Sequence, residues 1–229
     1  ILNQRIFPAS GLVSYWRLNE GTGTSVADSF GSNTGTASSA AQWVTGKNGY
    51  GYNLYSSNYI NFGNIVSWTR SQAWSVSAWC KKYSNTASYV PVLSNLNSST
   101  SCSVDCYFNQ QSGNLTQALM YNNSSGRVLA GYTARYPANT DWHLVVFTYK
   151  GDYNPSNMRC YIDAVSYSPS TTTSTMSYTG TLGTDMQIGR RYTTAYADDC
   201  IIDEVALWSR ELTQAEVTAL YNLGTGIYY

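Results

Sequence analysis

A chain of 229 residues with 43% apolar content is long enough for one sizeable core, and that composition fits neither a disordered nor a membrane protein. Only 11% of residues are charged, so Ser, Thr, Asn, Gly and the 21 tyrosines must carry the surface. With 13 basic against 13 acidic residues the net charge is zero, which removes the electrostatic footprint of a nucleic-acid binder. No stretch approaches the roughly 20 apolar residues that span a bilayer.

The chain opens on Ile1 rather than Met, which predicts a processed or trimmed product, a removed signal peptide being one route. Residues 1–10 read as an N-terminal arm whose apolar side chains are Ile1, Leu2, Ile6 and Phe7. Such a leader frays unless something holds it. Two readings stay open: the arm lies along its own domain, or it adds a strand to a neighbouring subunit as an assembly arm.

Residues 11–229 read as a single domain of short strands separated by turn signals. Strand-length runs fall at Leu12–Leu18, Asn58–Phe62, Trp74–Cys80, Tyr89–Leu93, Cys106–Asn109, Ala118–Tyr121, Val128–Thr133, His143–Tyr149, Arg159–Asp163 and Met186–Gly189. The run SPSTTTST before the last of these reads as a solvated loop. CIIDEVALW, from Cys200 to Trp208, reads as a buried strand. Thr213 and Glu216 then form a T-x-x-E capping box, Ala215, Ala219, Leu220 and Leu223 recur at helical spacing, and Gly224 supplies the stop. Many short strands with one terminal helix predict an all-β fold, a two-sheet antiparallel β-sandwich or jelly roll.

The order of the pieces resembles a known family, the LamG-like, concanavalin A-like lectin/glucanase jelly rolls. GLVSYWRLNEGTGTSVADS is similar to the opening of those domains, and WVTGKNGYGYNLYSSNYINFG to the segment that follows, with Tyr55 and Ser56 where Phe and Asp are usual. WSVSAWCKK, DWHLVVFTYKG, MRCYIDAVSY (Ala164 replacing a turn glycine), MQIGRR and IIDEVALWSRELTQAEVTALYNLG resemble the remaining pieces in the right order, so the likeness covers Gly11 to Gly226. The resemblance implies two antiparallel sheets with a short helix near the C-terminus. Such domains serve as lectins, adhesion modules, glycanase appendages and structural subunits, so fold alone does not name the function.

In related domains a calcium ion staples the Gly-rich loop after the first strand to the acidic strand near the C-terminus. The resemblance carries that role to Asp28 and Asp203, with Asn33 and the carbonyls near Gly31 assisting. The other reading is that Asp28 caps its own loop and Asp203 accepts from backbone amides. Catalysis is not expected. Retaining glycosidases need two carboxylates roughly 5 Å apart, and in this fold they sit on one strand as E-x-D-x-x-E. None of the four glutamates, Glu20, Glu204, Glu211 and Glu216, begins such a motif. Asp198, Asp199, Asp203 and Glu204 cluster in sequence, but strand alternation puts Glu204 on the face opposite Asp203. His143, the single histidine, reads as a satisfied strand residue.

Aromatic faces stack on sugar rings, and Tyr132, Tyr136, Tyr192 and Tyr196 stand in loop-like or strand-end positions where a ligand platform would sit. The competing reading makes them half-buried strand residues. Five cysteines leave at least one without an intrachain partner. Cys80 and Cys160 read as small core side chains, and Cys102 with Cys106 could close a local disulfide. Asn97, Asn114, Asn122 and Asn123 are glycosylation sequons. Low charge, the absence of long Lys/Glu helices and a tyrosine-heavy surface point to an extracellular or cell-surface protein. Two functions follow: a non-catalytic recognition or adhesion module that binds glycans, or a structural subunit of a filament or virion, a homo-oligomer joined through the arm.

Overall fold

In the computed structural model the residues described are 7–83, 89–95, 103–109, 116–122, 126–133, 136–137, 139–177, 185–191, 194–195 and 200–229. The first strands are β1 (Leu12–Trp16), β2 (Ser25–Val26), β3 (Gly35–Ala37), β4 (Trp43–Thr45), β5 (Tyr50–Asn53) and β6 (Ile60–Asn61). Longer strands follow: β7 (Trp74–Lys82), β8 (Tyr89–Ser94), β9 (Ser103–Asn109), β10 (Thr116–Asn122), β11 (Gly126–Tyr132) and β12 (Trp142–Tyr149). The chain continues through β13 (Arg159–Ile162), β14 (Val165–Tyr167), β15 (Thr171–Ser174), β16 (Gln187–Ile188), β17 (Arg190–Arg191) and β18 (Thr194–Ala195). It ends with β19 (Cys200–Trp208) and the helix α1 (Gln214–Tyr221).

Eight strands form one antiparallel sheet in the order β14-β13-β12-β7-β19-β5-β4, with β1 also paired to β19. Nine form the second, β15-β11-β10-β9-β8-β16-β6-β3-β2. The expected two-sheet sandwich is therefore present. The core between the sheets holds Trp16, Trp74, Val76, Phe108, Met120, Phe147 and Leu207, and Trp16 stacks on Phe62 at 4.0 Å. Cys80 and Cys160 are buried free thiols in this core, and burial pushes both well above the usual thiol range.

A second cluster lies on the outer face of the eight-stranded sheet, where Trp79, Leu144, Val146 and Trp208 meet Val217 and Leu220 of α1. Period-2 alternation along β7 and β12 makes both faces apolar, because one faces the second sheet and the other the helix. Fully burying Leu220 there contributes roughly 1.5–3 kcal/mol.

The helix begins as expected. The Thr213 hydroxyl accepts from the Glu216 N–H, and the Glu216 carboxylate accepts from the Thr213 N–H at 2.8 Å. Arg210 grips the same carboxylate with both ends of its fork, at 2.6 and 2.9 Å. That grip, seconded by Thr213, holds the Glu216 carboxyl down at about 2 against its partial burial. The helix ends earlier than the sequence suggests: Asn222 and Leu223 already adopt left-handed φ of 44° and 55°, ahead of Gly224.

Half of the Ser/Thr run is strand rather than loop. Thr171–Ser174 forms the edge strand β15 against β11, with mostly exposed side chains, as β-branched threonine allows on a sheet margin. Thr213→Ala removes one half of the helix cap and is expected to cost about 1 kcal/mol. Thermal unfolding should show a midpoint about 2–4 °C lower with an unchanged folded spectrum.

Candidate functional site

The acids of β19 are placed by a bulge. Asp203 lies opposite Trp79 and Ala206 opposite Ser77, so two residues, Glu204 and Val205, face the single Ala78. Glu204 takes a left-handed φ of 52°, an uncommon conformation for a side-chain-bearing residue. The extra residue resets the alternation, and Asp203 and Glu204 reach the same neighbour instead of opposite faces. Asn48 donates its backbone N–H to Asp203 Oδ2 and its side-chain amide to Glu204 Oε1, both at 3.0 Å.

Every oxygen of this pair has a donor. Asp203 Oδ2 also accepts from the Lys47 N–H at 2.7 Å, and Oδ1 from the Glu204 N–H at 2.8 Å. The Tyr15 hydroxyl donates to Glu204 Oε2. Burial pushes the Asp203 carboxyl up to about 8, and the adjacent Glu204 adds to the rise, against the pull of the three N–H groups. Burial raises Glu204 as well, and Tyr15 and Asn48 draw it back. The Lys47 ammonium lies 4.3 Å from the centre of the Trp79 ring and donates to the Gly224 carbonyl oxygen at 2.5 Å.

Asp28 organises the first loop. Its Oδ1 accepts from the N–H groups of Tyr15, Phe30 and Gly31 at 3.0, 3.0 and 2.8 Å, and Oδ2 from the Asn33 N–H at 3.1 Å. Burial opposes its charge, but these donors outweigh it and hold the carboxyl below its usual range. Asn33 turns its amide to the Ser14 hydroxyl at 2.7 Å. As placed, Asp28 caps its own loop and Asp203 accepts from backbone amides, the other of the two expected readings. N–H donors occupy the carboxylate oxygens, different loops hold the two aspartates, and no group of three or more His, Cys, Asp or Glu side chains gathers among the described residues. The tie expected between the first loop and the last strand runs through Tyr15, whose N–H binds Asp28 and whose hydroxyl binds Glu204.

Other expected sites move into the core. Tyr132 and Tyr136 are 0% and 2% exposed, so neither offers a stacking platform. Tyr136 instead packs on Phe108 and donates its hydroxyl to the Cys80 carbonyl at 2.5 Å. Tyr192 and Tyr196 lie outside the described residues. Cys106 is a buried free thiol in the sandwich core rather than half of a local disulfide, and Cys102 lies outside the described residues. So do the sequons at Asn97, Asn114 and Asn123, while Asn122 ends β10. Of the arm, Phe7 packs on its own chain, its ring 5.2 Å from Tyr15 and 5.7 Å from Tyr229. Ile1, Leu2 and Ile6 are outside the described residues. His143 is satisfied as expected, with Asp163 Oδ2 at 2.5 Å from one ring nitrogen and Asn139 Oδ1 at 2.7 Å from the other.

An open recess lies elsewhere. A cleft of about 370 Å³ is lined by Lys150, Asn157, Arg159, Tyr161, Glu211, Leu212, Thr213 and Gln214. Alternation along β13 puts Arg159 and Tyr161 on the outer face, beside the end of β12 and the segment leading into α1. That segment is pinned from below: the Ser75 hydroxyl accepts from the Leu212 N–H at 2.9 Å and donates to the Arg210 carbonyl at 2.8 Å. Partial burial raises the Glu211 carboxyl, and Lys150 and Arg159 pull it back. Sequence reading missed this site because its residues come from three separate segments. The available signal was the shared face of Arg159 and Tyr161.

Two measurements check the buried cluster. Because the folded Asp203 carboxyl titrates near 8 and the unfolded one near 4, its protonated form stabilises the fold fully below about pH 4, and that stability is lost as the pH rises through about 8. The thermal midpoint should fall between pH 5 and pH 8, and Asp203→Asn should flatten that slope. Tyr15→Phe leaves a buried Glu204 oxygen without its donor and should cost about 1–3 kcal/mol in denaturant titration.

The sequence finds no match among curated proteins. Among solved structures the chain is similar to domain 4 of AbnA, a GH43 extracellular arabinanase from Geobacillus stearothermophilus, in complex with arabinotriose. The TM-score is 0.63 at 17% identity, over 90% of this chain and 96% of that one. It is similar to the Trypanosoma rangeli sialidase, with TM-score 0.64 at 13% identity over 96% of this chain, but spans only 34% of that protein. It is similar too to the binding domain of Botulinum Neurotoxin DC in complex with SialylT, with TM-score 0.62 at 13% identity, over 93% of this chain and 51% of that one. At these identities the likeness shows the fold. The family model described as the concanavalin A-like lectin/glucanases superfamily matches residues 54–218, most of the chain. This protein belongs to the concanavalin A-like lectin/glucanase superfamily.

Proposed function

We propose that the chain is a non-catalytic carbohydrate-recognition module that works outside the cell and takes its ligand in the cleft beside α1. The observation that carries this reading is the cleft's composition on a rigid frame. Asn157, Gln214, Glu211, Arg159 and Lys150 bring polar side chains to one recess, with the Tyr161 ring in its lining. A sugar presents many hydroxyls in fixed directions, and such a lining can answer several of them at once. The arabinotriose-bound domain of AbnA, which this chain matches over nearly its whole length, supports the assignment. The carboxylates support the absence of catalysis: Glu211 is the single acid among the lining residues, whereas most glycoside hydrolases use a pair. Asp203 and Glu204 are committed to their own donors. The low surface charge and abundance of tyrosine, serine and asparagine support a place outside the cell.

A glycan array probed with the intact chain is expected to show binding, and Lys150→Ala, at an exposed side chain, should weaken it about three- to tenfold without changing the thermal midpoint. Loss of about one hydrogen bond is that size, since tenfold corresponds to about 1.4 kcal/mol. An array without a single bound glycan, neutral or acidic, overturns the proposal.

A further inference from the structure

Resting on the assignment of the cleft as a glycan site, we infer that its ligand is an acidic sugar whose carboxylate sits against Arg159 and Lys150. The cleft brings two cations to one recess and supplies a single carboxylate, Glu211. The ion pairs among the described residues are His143–Asp163 and Arg210–Glu216, so neither Lys150 nor Arg159 is committed to a protein acid at contact distance. Among the lining residues cations exceed carboxylates by one, with Asp152, which accepts from the Asn157 amide at 2.5 Å, standing beside them, and in a partly desolvated recess an incoming anion is screened less than on open surface.

The guanidinium is already oriented for such a group. Arg159 Nη1 donates to the Ser156 carbonyl at 2.6 Å and to the Met158 carbonyl at 2.8 Å. Those two bonds fix the plane of the fork and use one of its three nitrogens. Nε and Nη2, on the other edge, have the spacing that takes both oxygens of a carboxylate. Lys150, exposed at the end of β12, adds a mobile second charge that follows the ligand's position. Thr213 and Gln214 bring the start of α1 to the same recess, and the positive end of the helix dipole adds to the attraction. The Asn157 amide donates to Asp152 at 2.5 Å and that of Gln214 to the Ala164 carbonyl at 2.8 Å, so the amide oxygens of both and the Glu211 carboxylate are left to accept from sugar hydroxyls. A uronic acid and a sialic acid share the required chemistry, a sugar ring bearing a carboxylate beside hydroxyls.

Titration calorimetry on the intact chain separates the cases, with trigalacturonate and sialyllactose as acidic probes and lactose as the neutral one. At least one acidic probe should bind ten times or more tightly than lactose, with affinity falling as salt rises. Lys150→Glu should reduce that affinity at least tenfold at an unchanged thermal midpoint, and Arg159→Gln should reduce it further. Should Arg159→Gln fail to fold for want of its two carbonyl contacts, the exposed Lys150→Glu decides alone. Lactose binding as tightly as both acids, or full affinity in Lys150→Glu, overturns the acidic-sugar inference and leaves the glycan reading standing. Binding to none of the three probes overturns the inference, and an empty glycan array beside it removes the glycan reading as well.

Discussion

The bulge at Asp203 and Glu204 is the constraint on which the rest of this molecule depends. β19 is central in its sheet, hydrogen-bonded to β7 and also to β1 and β5. A regular strand would alternate its two acids and send one toward the apolar interior. Doubling the residues on one side of the ladder gathers both under the turn at Lys47 and Asn48, where donors meet all four oxygens. Two buried carboxyls without such donors would cost several kcal/mol. With them, the pair becomes a network that joins β19 to the turn before β5 and to β1. Tyr15 extends it to Asp28 and the first loop through its own N–H. The left-handed backbone at Glu204 is strain this network holds in place.

The cleft depends on the same arrangement at one remove. β19 runs into the segment that holds Arg210 and Glu211 and then into α1. Ser75, on the neighbouring β7, clamps that segment at both Arg210 and Leu212. Arg210 in turn secures the helix cap through Glu216. The chain thus divides its acids by task. Asp203 and Glu204 are sealed and structural, Glu216 belongs to the helix cap, and Glu211 alone opens into the recess. This division is why a fold shared with carbohydrate-active enzymes can present a polar cleft with one carboxylate.

Much of the architecture was legible because its signals are local. Strand-length apolar runs marked most of the ladders, and the T-x-x-E spacing marked the helix start, since both depend on residues a few positions apart. The ordered resemblance of seven segments pointed to the sandwich. What failed was any inference that needed a neighbour distant in sequence. Tyr132 and Tyr136 could have been surface or core, and only tertiary packing, which brings Phe147 of the facing sheet against Tyr132 and Phe108 against Tyr136, made them core. The threonine run became a strand because β11 offered an edge to pair with.

The residues alone determined that this chain builds an all-β sandwich closed by one short helix, because alternation, turn chemistry and capping act within a few residues. They also determined that Asp28 and Asp203 matter to its closure, since buried acids near an apolar strand need partners. Only the tertiary structure decided which partners. It placed a tyrosine and backbone amides at those acids, and it assembled Lys150, Arg159, Glu211 and Gln214 from separate segments into one cleft. The physical reason is that hydrogen bonds and charges act over a few ångströms in space, and the strand ladders alone bring these distant residues that close.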